Sequence, residues 1–359
     1  MDPTSSINPF PLEETPASGT ETPLHFLEKA LGGLRNFQAF VTAYESGIFE
    51  ACKKPAPLAA ICGKAGTHPA ITGPLCEGLV RTGFLSRDQS GNYQVTAVTR
   101  DFFLADSRFS QKAAIAQMKE FACLFYRLPD ILQNGPIVYP RGEQFRERII
   151  PAMAEQSRCG LVQRVAQVIS SLPEFRSARR LLDLGGGHGL YAIALTRKNP
   201  DLSAVVFDLP EVTPATREMI RYYGAQGRIT THEGDFFRDP LGTGYDILFS
   251  SSNPSGKMPA LIPKISDALN PGGLYLNKQV VDSTEEDPFA DLEWNLWALE
   301  GMKKTEKRFR FEGSVPMEDY NRLLGESGFV VRNTVPVDGR SVMTIAEKAG
   351  AQGAGHDAS

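Results

Sequence analysis

A glycine-rich run and an acidic residue farther along the chain are the residues whose types and spacing best define a chemistry. The run is Asp183-Leu-Gly-Gly-Gly-His-Gly189, which follows a short apolar segment, and a second apolar segment ends at Asp208. In nucleoside-binding α/β units, a glycine turn follows the first strand, and a carboxylate about 20 residues later binds the ribose hydroxyls. The pattern therefore predicts a nucleoside site whose turn is shaped by Gly185 and Gly187. Asp208 would hold the ribose, with Leu209 beside it.

The position of Asp183 indicates which nucleoside is bound. A dinucleotide site uses G-x-G-x-x-G and directs a helix N-terminus at a pyrophosphate. Here a carboxylate lies two residues before the first glycine, and a carboxylate there would repel a pyrophosphate. S-adenosylmethionine (SAM) carries an ammonium, a sulfonium and a ribose but no phosphate. Asp183 therefore favours a SAM site, with this acid at its methionine end.

Two later segments fit the same ligand. Glu233-Gly-Asp-Phe-Phe237 offers Asp235 for the adenine amino group and Phe236 for the face of the ring. Leu269-Asn-Pro-Gly-Gly-Leu-Tyr-Leu276 is typical of a helix end, a tight turn and a further strand. The glycine run by itself could be a simple turn in any α/β domain. The four segments in this order favour the SAM site.

On these four motifs, the chain resembles the class I SAM-dependent methyltransferases, and within them the small-molecule O-methyltransferase family that includes caffeate, acetylserotonin and polyketide methyltransferases. The resemblance extends from about Phe37 to Lys348. It implies an α/β fold, with a Rossmann-like, doubly wound and mostly parallel sheet after an N-terminal helical winged-helix domain. It also implies SAM as the cofactor, a small-molecule acceptor, no metal, and a homodimer in which the N-terminal domain closes the partner's substrate pocket.

The segment after the fourth predicted strand departs from the resembled family. Members of that family carry a Lys or Arg there and then His-Asp-Trp, whose His is the general base for a phenol or hydroxyl. This chain reads Tyr245-Asp-Ile-Leu-Phe-Ser-Ser-Ser-Asn-Pro-Ser-Gly-Lys-Met-Pro259, without a His, and its five histidines lie elsewhere. A positioned base contributes about 10²- to 10⁴-fold in rate. The chain therefore lacks the expected base of this chemistry.

Three explanations remain open. The first is methyl transfer to a thiol, an amine or an electron-rich ring carbon, for which proximity and alignment suffice. The second is a base on a helix predicted over Phe289–Gly301, where Glu293 and Glu300 share a face and burial could raise one pKa. The third is SAM binding without methylation, in hydroxylation, decarboxylation or pericyclic chemistry, with Asn253 and Ser250 donating hydrogen bonds to the substrate. The simpler alternatives are a plain turn for the segment with Asn253 and solvent-exposed carboxylates for Glu293 and Glu300.

Aromatic residues and methionines are candidates for the substrate pocket, although such residues at helical spacing are more often plain core. The candidates are Phe121, Phe125, Tyr126, Phe145, Met153, Trp294, Trp297 and Met302. A basic segment, Lys303–Phe311, follows them. It is predicted either as a lid that recognises an acidic group of the substrate or, more commonly for such a charge run, as a solvated loop.

The elements that must position these residues divide the chain into five segments. They are a disordered N-terminus at 1–22, a winged-helix dimerisation domain at 23–110, a helical linker and pocket wall at 111–172, the Rossmann-like SAM domain at 173–349 and a frayed tail at 350–359. Within the second segment, a helix pair from Leu58 to Leu85 precedes a β-hairpin over Phe84–Val95. The second helix carries Arg81 but is otherwise apolar, which disfavours DNA binding. A SAM-sensing winged-helix regulator is the rival from another class.

The composition agrees with a cytoplasmic enzyme. The chain has 359 residues, a net charge of −4 and 42% hydrophobic residues, which suit two domains and give no reason to expect nucleic acid or an anionic membrane as a partner. No apolar run approaches transmembrane length. The five cysteines show no C-x-x-C spacing, so idle thiols in a reducing cytosol are expected and no metal site is predicted.

Overall fold

The structure, a computed structural model, describes residue 17 and residues 24–281 and 288–350. These residues form two compact units, the first ending at Arg108 and the second beginning at Phe109. The predicted disordered N-terminus at 1–22 and the predicted frayed tail at 350–359 lie outside the described residues, apart from residues 17 and 350.

The first unit is helical, with a β-hairpin near its C-terminal end. Its elements are α1 (Leu24–Glu45), α2 (Ile48–Ala51), α3 (Leu58–Ala65), α4 (Pro69–Arg81), β1 (Leu85–Arg87), β2 (Tyr93–Val95) and α5 (Ala97–Phe102). Gly66, with a φ of 64°, ends α3, and His68 caps α4 because its Nδ1 accepts the Ala70 N–H. β1 and β2 pair antiparallel, with Leu85 opposite Val95. The predicted helix pair and hairpin are therefore present, and the winged-helix interpretation stays a prediction.

The second unit begins with helices. They and a short strand are α6 (Lys112–Tyr126), α7 (Leu128–Asn134), β3 (Ile137–Tyr139), α8 (Arg141–Gln144), α9 (Ile150–Gln156) and α10 (Val162–Ser170). Pro129 lies in the first turn of α7, where proline is tolerated, and Gly135, with a φ of 88°, follows its end. Glu155 of α9 accepts the N–H groups of Ala113 and Ala114 at 2.6 and 3.1 Å. This carboxylate therefore caps α6 and joins the two helices.

The rest of the second unit alternates strands and helices. The elements are β4 (Arg180–Leu184), α11 (Leu190–Lys198), β5 (Ser203–Asp208), α12 (Thr213–Tyr222), β6 (Ile229–Glu233), β7 (Tyr245–Ser251), α13 (Ile262–Ala268), β8 (Leu269–Val280), α14 (Ala290–Asn295), β9 (Trp297–Leu299), α15 (Met317–Glu326), β10 (Phe329–Pro336) and β11 (Ser341–Lys348). Among the described strands, seven form one sheet in the order β10-β11-β8-β7-β4-β5-β6. The strands from β4 to β8 pair in parallel, whereas β11 pairs antiparallel with β8 and β10.

This topology confirms the predicted α/β fold with a doubly wound, mostly parallel sheet. The strand order reverses between β4 and β7, and in such sheets ligands bind at the carboxyl edge near the reversal. Asp183, Asp208 and Ser250 lie at or next to the carboxyl ends of β4, β5 and β7. The fold therefore brings the predicted site residues to the edge at which a ligand is expected.

Core clusters cover both faces of the sheet, so its central strands β4, β5 and β7 are mainly apolar. Alternate residues of β4 face opposite sides: Leu181 packs into one core cluster, and Leu182 and Leu184 pack into the other. Asp183 lies between them in this alternation and shares the side of Leu181. Its carboxyl group is therefore placed in a buried environment.

One predicted helix is not a single helix. α14 ends at Asn295, and Trp297–Leu299 forms β9, which pairs in parallel with β3. The prediction that Glu293 and Glu300 share a helix face is therefore wrong. The apolar spacing favoured a helix, but pairing with a distant strand decides the conformation of a short stretch that contains tryptophan, a residue suited to pleated strands.

Residues 24–281 and 288–350 contain neither a membrane-spanning helix nor a metal-binding cluster. No helix in these ranges is both long and apolar enough to cross a bilayer. No group of three or more His, Cys, Asp and Glu side chains there is placed to hold a metal ion. All five cysteines lie in these ranges and are free thiols.

Candidate cofactor and active site

The glycine run forms a tight loop between β4 and α11. Gly185, Gly187 and Gly189 have φ values of 64°, 51° and 70°, a region that residues with a Cβ avoid. The Gly185 N–H donates to Phe207 O at 2.8 Å, which ties the loop to β5. A Cβ on Gly185 would lie 2.7 Å from Asn253 Nδ2. Glycine is therefore required for the loop to pass so close to its neighbours.

Asp208 fastens this loop from the end of β5. Its Oδ2 accepts the Gly187 N–H at 2.8 Å, and its Oδ1 accepts the Leu209 N–H at 2.7 Å. Burial raises the pKa of this carboxyl to about 6. A carboxylate has about four acceptor sites, so positions remain for donors such as ribose hydroxyls. Asp208 and Leu209 thus lie beside the loop, and Asp208 also helps to shape it.

Asp183 is a fully buried acid without a partner. Neither of its oxygens has a hydrogen-bond partner among the described residues. Burial, with the Asp208 charge nearby, raises the pKa of Asp183 to about 7, although the Ala192 N–H acts in the opposite direction without reaching hydrogen-bond geometry. Buried polar groups without partners are rare, and each needs an explanation. A bound ammonium or sulfonium would supply the missing partner, so this carboxylate fits the cationic end of SAM.

The segment after β6 is held beside Asp208. The Gly234 N–H donates to Asp208 O at 3.0 Å. Asp235 donates its backbone N–H to Asp239 Oδ2 at 2.7 Å, and Phe236 packs against the core on one side of the sheet. The segment that carries Asp235 and Phe236 therefore starts beside the end of β5, and their contacts with adenine stay a prediction.

The segment after β7, where the resembled family carries its His, is a buried 3₁₀ turn at Pro254–Lys257. A Cβ on Gly256 would overlap Gln279 Nε2 and Asn277 Oδ1. Asn277 Nδ2 donates to Gly256 O at 2.7 Å. The turn is therefore pinned by amide side chains of β8, which leave no room for a larger residue at Gly256.

Asn253 and Ser250, which the sequence predicts to face a substrate, hydrogen-bond within this turn. Asn253 Nδ2 donates to Leu184 O at 2.7 Å, and its Oδ1 accepts the Ser255 N–H at 3.0 Å. Ser250 Oγ lies 2.8 Å from Ser255 Oγ. The Asn253 side chain thus joins the end of β4 to the exit from β7. Both residues have a structural task, and a catalytic role for Asn253 stays a prediction.

The histidines of the sheet do not offer a base at the end of β7. His188 Nδ1 accepts the Leu190 N–H at 3.1 Å, which leaves the proton on Nε2, 3.3 Å from Ser157 Oγ. Burial lowers the pKa of His188 to about 4, so the ring is neutral near pH 7. The His232 ring packs 4.8 Å from that of Phe207. Both rings are therefore engaged by the fold.

Trp294 and Trp297 lie together in an aromatic cluster. Their ring centroids are 5.3 Å apart, and Lys304 Nζ lies 3.8 Å from the Trp297 centroid. The rings of Phe309 and Phe311 each lie 5.6 Å from that of Trp294. The basic segment therefore packs on α14 and β9 through its own lysine and aromatic side chains.

Charges of the same segment pair with nearby carboxylates. Lys307 Nζ lies 2.9 Å from Asp291 Oδ2, and an Arg308 guanidinium nitrogen lies 3.9 Å from Glu293 Oε1. The segment therefore folds back on α14 while Lys303 and Lys307 remain exposed, and the lid and the solvated loop both stay predictions. The same contact ties the Glu293 carboxylate to the folded-back segment, and its role as a general base stays a prediction.

Of the other candidates for the pocket, Phe121 joins the tryptophans, with its ring 6.4 Å from that of Trp297, whereas the remaining ones do not gather there. Phe125 and Tyr126, at the end of α6, are 37% and 63% exposed. Met153 in α9 and Met302 after β9 are half-buried, and Glu300 is exposed. The structure brings the two tryptophans together but leaves Phe125 and Tyr126 on the surface of their unit.

Lys278 is a buried charge that sequence reasoning missed. It lies in β8, is 3% exposed, and its Nζ donates to Ser252 Oγ at 3.0 Å. The available signal was a run of three polar residues, Asn277–Gln279, inside an otherwise apolar strand. Such a run at the carboxyl edge of a parallel sheet indicates polar neighbours.

Comparison with known proteins places this architecture in a family. Residues 138–330 match the model of the O-methyltransferase domain. An uncharacterised protein of Methanocaldococcus jannaschii is 37% identical over 247 residues, which cover 68% of this chain and 66% of that protein. The tetracenomycin polyketide synthesis 8-O-methyl transferase of Streptomyces glaucescens is 27% identical over 87% of this chain and 93% of its own length. An O-methyltransferase family protein of Burkholderia thailandensis shares the fold, with a TM-score of 0.74 at 20% identity over 93% of this chain and 100% of that one. The chain therefore belongs to the O-methyltransferase family, whose members are SAM-dependent methyltransferases.

Proposed function

We propose that this chain transfers the sulfonium methyl of SAM to a small aromatic acceptor, with positioning rather than a histidine base. The observation that carries the proposal is the buried carboxylate of Asp183 in β4, which lacks a hydrogen-bond partner among the described residues and lies near Asp208 of β5, next to the glycine loop. The turn after β7, which holds no histidine, supports the second half of the proposal.

The residues at the carboxyl edge divide the cofactor among them. When bound, SAM supplies a methyl group activated by the positive sulfonium. Asp183 compensates the positive charge at the methionine end. Asp208 accepts from the ribose hydroxyls while its bond to the Gly187 N–H keeps the loop in place. Asp235 and Phe236 receive the adenine. Backbone N–H groups hold the carboxylates of Asp208 and Asp235 before the cofactor arrives, which is the preorganisation that binding sites need.

Positioning suffices for an acceptor that is nucleophilic near neutral pH. A thiol with an ordinary pKa of about 8.5 is partly ionised at pH 7, and alignment of reacting groups lowers the barrier without proton transfer. The half-buried Trp297 and the aromatic side chains clustered around it would give an aromatic acceptor an apolar surface to pack against. The relative from Streptomyces glaucescens is named for a polyketide, a class that includes aromatic molecules.

We also propose that the first unit forms a homodimer and that the protein works in the cytoplasm. α1 exposes large apolar side chains, with Phe26 66% and Leu31 43% exposed. Contiguous apolar surface of this kind marks protein–protein contacts. The five free thiols suit a reducing compartment.

The proposal is tested by incubating purified protein with methyl-labelled SAM and a panel of phenols, thiols and amines. Transfer of label supports methylation and identifies the acceptor atom. Binding of SAM without transfer to any member would favour the alternative, a SAM-binding enzyme with hydroxylation, decarboxylation or pericyclic chemistry. A DNA mobility shift that depends on SAM would instead favour the regulator.

A further inference from the structure

Two cationic side chains lie near the glycine loop, the buried Lys278 and the half-buried Arg158, and Glu155 is the carboxylate that acts on Arg158. Lys278 Nζ donates to Ser252 Oγ, and no carboxylate oxygen of the described residues lies within 4.0 Å of it. Arg158 is the second cation, and its Nε is buried without a hydrogen-bond partner in the same part of the chain. Burying a charge is costly unless it is paired. Both side chains are therefore suited to a negatively charged ligand.

Lys278 faces the same side of the sheet as Asp183. Asp183 pairs with Phe249 of β7, and Phe249 pairs with Leu276 of β8. Phe249 and Leu276 belong to one core cluster, and Lys278, two residues beyond Leu276, keeps to that face. Its ammonium reaches Ser252, which directly follows β7, the strand next to β4. The unpaired ammonium and the unpaired carboxylate thus lie over neighbouring strands at one edge.

The groups around the ammonium do not neutralise it. Burial lowers the pKa of His188 most, and Arg158 and Lys278 both add to the effect, so both cations act on the glycine loop. The neutral His188 ring offers no negative charge. Asp338 acts on Lys278 from farther away, and its Oδ1 accepts the Ser341 hydroxyl at 2.9 Å. The cations and Asp183 therefore present opposite charges that complement the two charges of an amino-acid zwitterion.

We infer that Lys278, together with Arg158, whose neighbour Ser157 contacts His188 of the glycine loop, binds the carboxylate of the methionine end of SAM, while Asp183 binds the ammonium. The inference rests on the proposed function and adds the residues that recognise the amino-acid part of the cofactor. A carboxylate in this position gives both cations a charge-assisted hydrogen-bond partner. The amino-acid end is thus held by opposite charges on adjacent strands, which fixes the direction of the sulfonium.

Two ligands separate this contact from the rest of the site. S-adenosylhomocysteine carries the amino-acid end, whereas 5′-methylthioadenosine lacks it and keeps the ribose and adenine. In calorimetric titrations, we expect Lys278→Met to lower the affinity for S-adenosylhomocysteine by about 10- to 100-fold. Its affinity for 5′-methylthioadenosine should stay unchanged. Lys278→Arg, which keeps the charge, should retain most of the affinity. Lys348→Met is the matched control, because Lys348 is a sheet lysine whose Nζ donates to two backbone carbonyls.

Undiminished S-adenosylhomocysteine affinity in Lys278→Met, or an equal loss for both ligands, would overturn the inference. A second measurement uses the wild-type protein, which we expect to bind the α-carboxamide of S-adenosylhomocysteine about 10- to 100-fold more weakly than the acid. Equal binding of amide and acid would also overturn it, whether or not the variant folds. Failure of the proposed function looks different, because the wild type would then bind neither nucleoside.

Discussion

Two aspartates at adjacent strand ends have opposite surroundings. Asp208 accepts two backbone N–H groups, whereas Asp183 has no hydrogen-bond partner within the described residues. The pKa of Asp183 is about 7, well above the ordinary 3.8, mainly because of burial. The folded chain therefore binds this proton more tightly than the unfolded chain. It follows that the contribution of Asp183 to the free energy of unfolding falls as the pH rises from about 4 to about 7.

The loss of stability that ionisation of Asp183 causes leads to a prediction for Asp183→Asn in the absence of ligand. The free energy of unfolding of the variant, relative to wild type, should increase between about pH 5 and about pH 7, by up to about 1.4 kcal/mol per pH unit. The reason is that only the wild type has a carboxyl group to ionise in the buried site. Urea unfolding at both pH values measures the difference.

Asp201→Asn is the control for this experiment, because Asp201 is exposed and pairs with Arg179. Its difference from wild type should change little over the same interval. A difference for Asp183→Asn that does not vary with pH would show that Asp183 is already compensated in the ligand-free fold.

At the scale of the element, the turn after β7 owes its shape to packing against β8. We expect Gly256→Ala to lower the free energy of unfolding by about 1–3 kcal/mol or more, because the added Cβ overlaps Gln279 and Asn277. Gly63→Ala, in the interior of α3 with open space around it, should instead be neutral or stabilise by about 0.5–1 kcal/mol. Denaturant unfolding of both variants checks the contrast, and equal effects would contradict the tight packing of the turn.

The elements that could be predicted from the sequence are those whose signals are local. The glycine run, the strand that ends at Asp208 and the hairpin at Phe84–Val95 each carry their own turn residues, and the structure contains all three. The strand β9 could not be predicted, since its pairing with β3 depends on residues far away in the chain. The structural role of Asn253 could not be predicted either, because its side-chain amide donates a hydrogen bond to a backbone carbonyl 69 residues earlier in the chain.

At the scale of the whole molecule, the exposed apolar side of α1 predicts self-association. Wild-type protein should sediment as a dimer at micromolar concentration. A double substitution, Leu27→Glu with Leu31→Glu, should shift it to the monomer, because both side chains are exposed in the single chain and charges are disfavoured in interface cores. Tyr222→Glu, on the exposed side of α12, is the control and should stay dimeric. A monomeric wild type would contradict the proposed dimer.

The cofactor site is tested most directly by calorimetric titration of SAM into the wild type and into Asp208→Asn. The substitution removes the charge that the ribose hydroxyls would face and weakens the bond to the Gly187 N–H. We predict one SAM bound per wild-type chain and an affinity about 10- to 100-fold lower in the variant. Equal affinity in the two proteins, or no binding to the wild type, would contradict the account of this site.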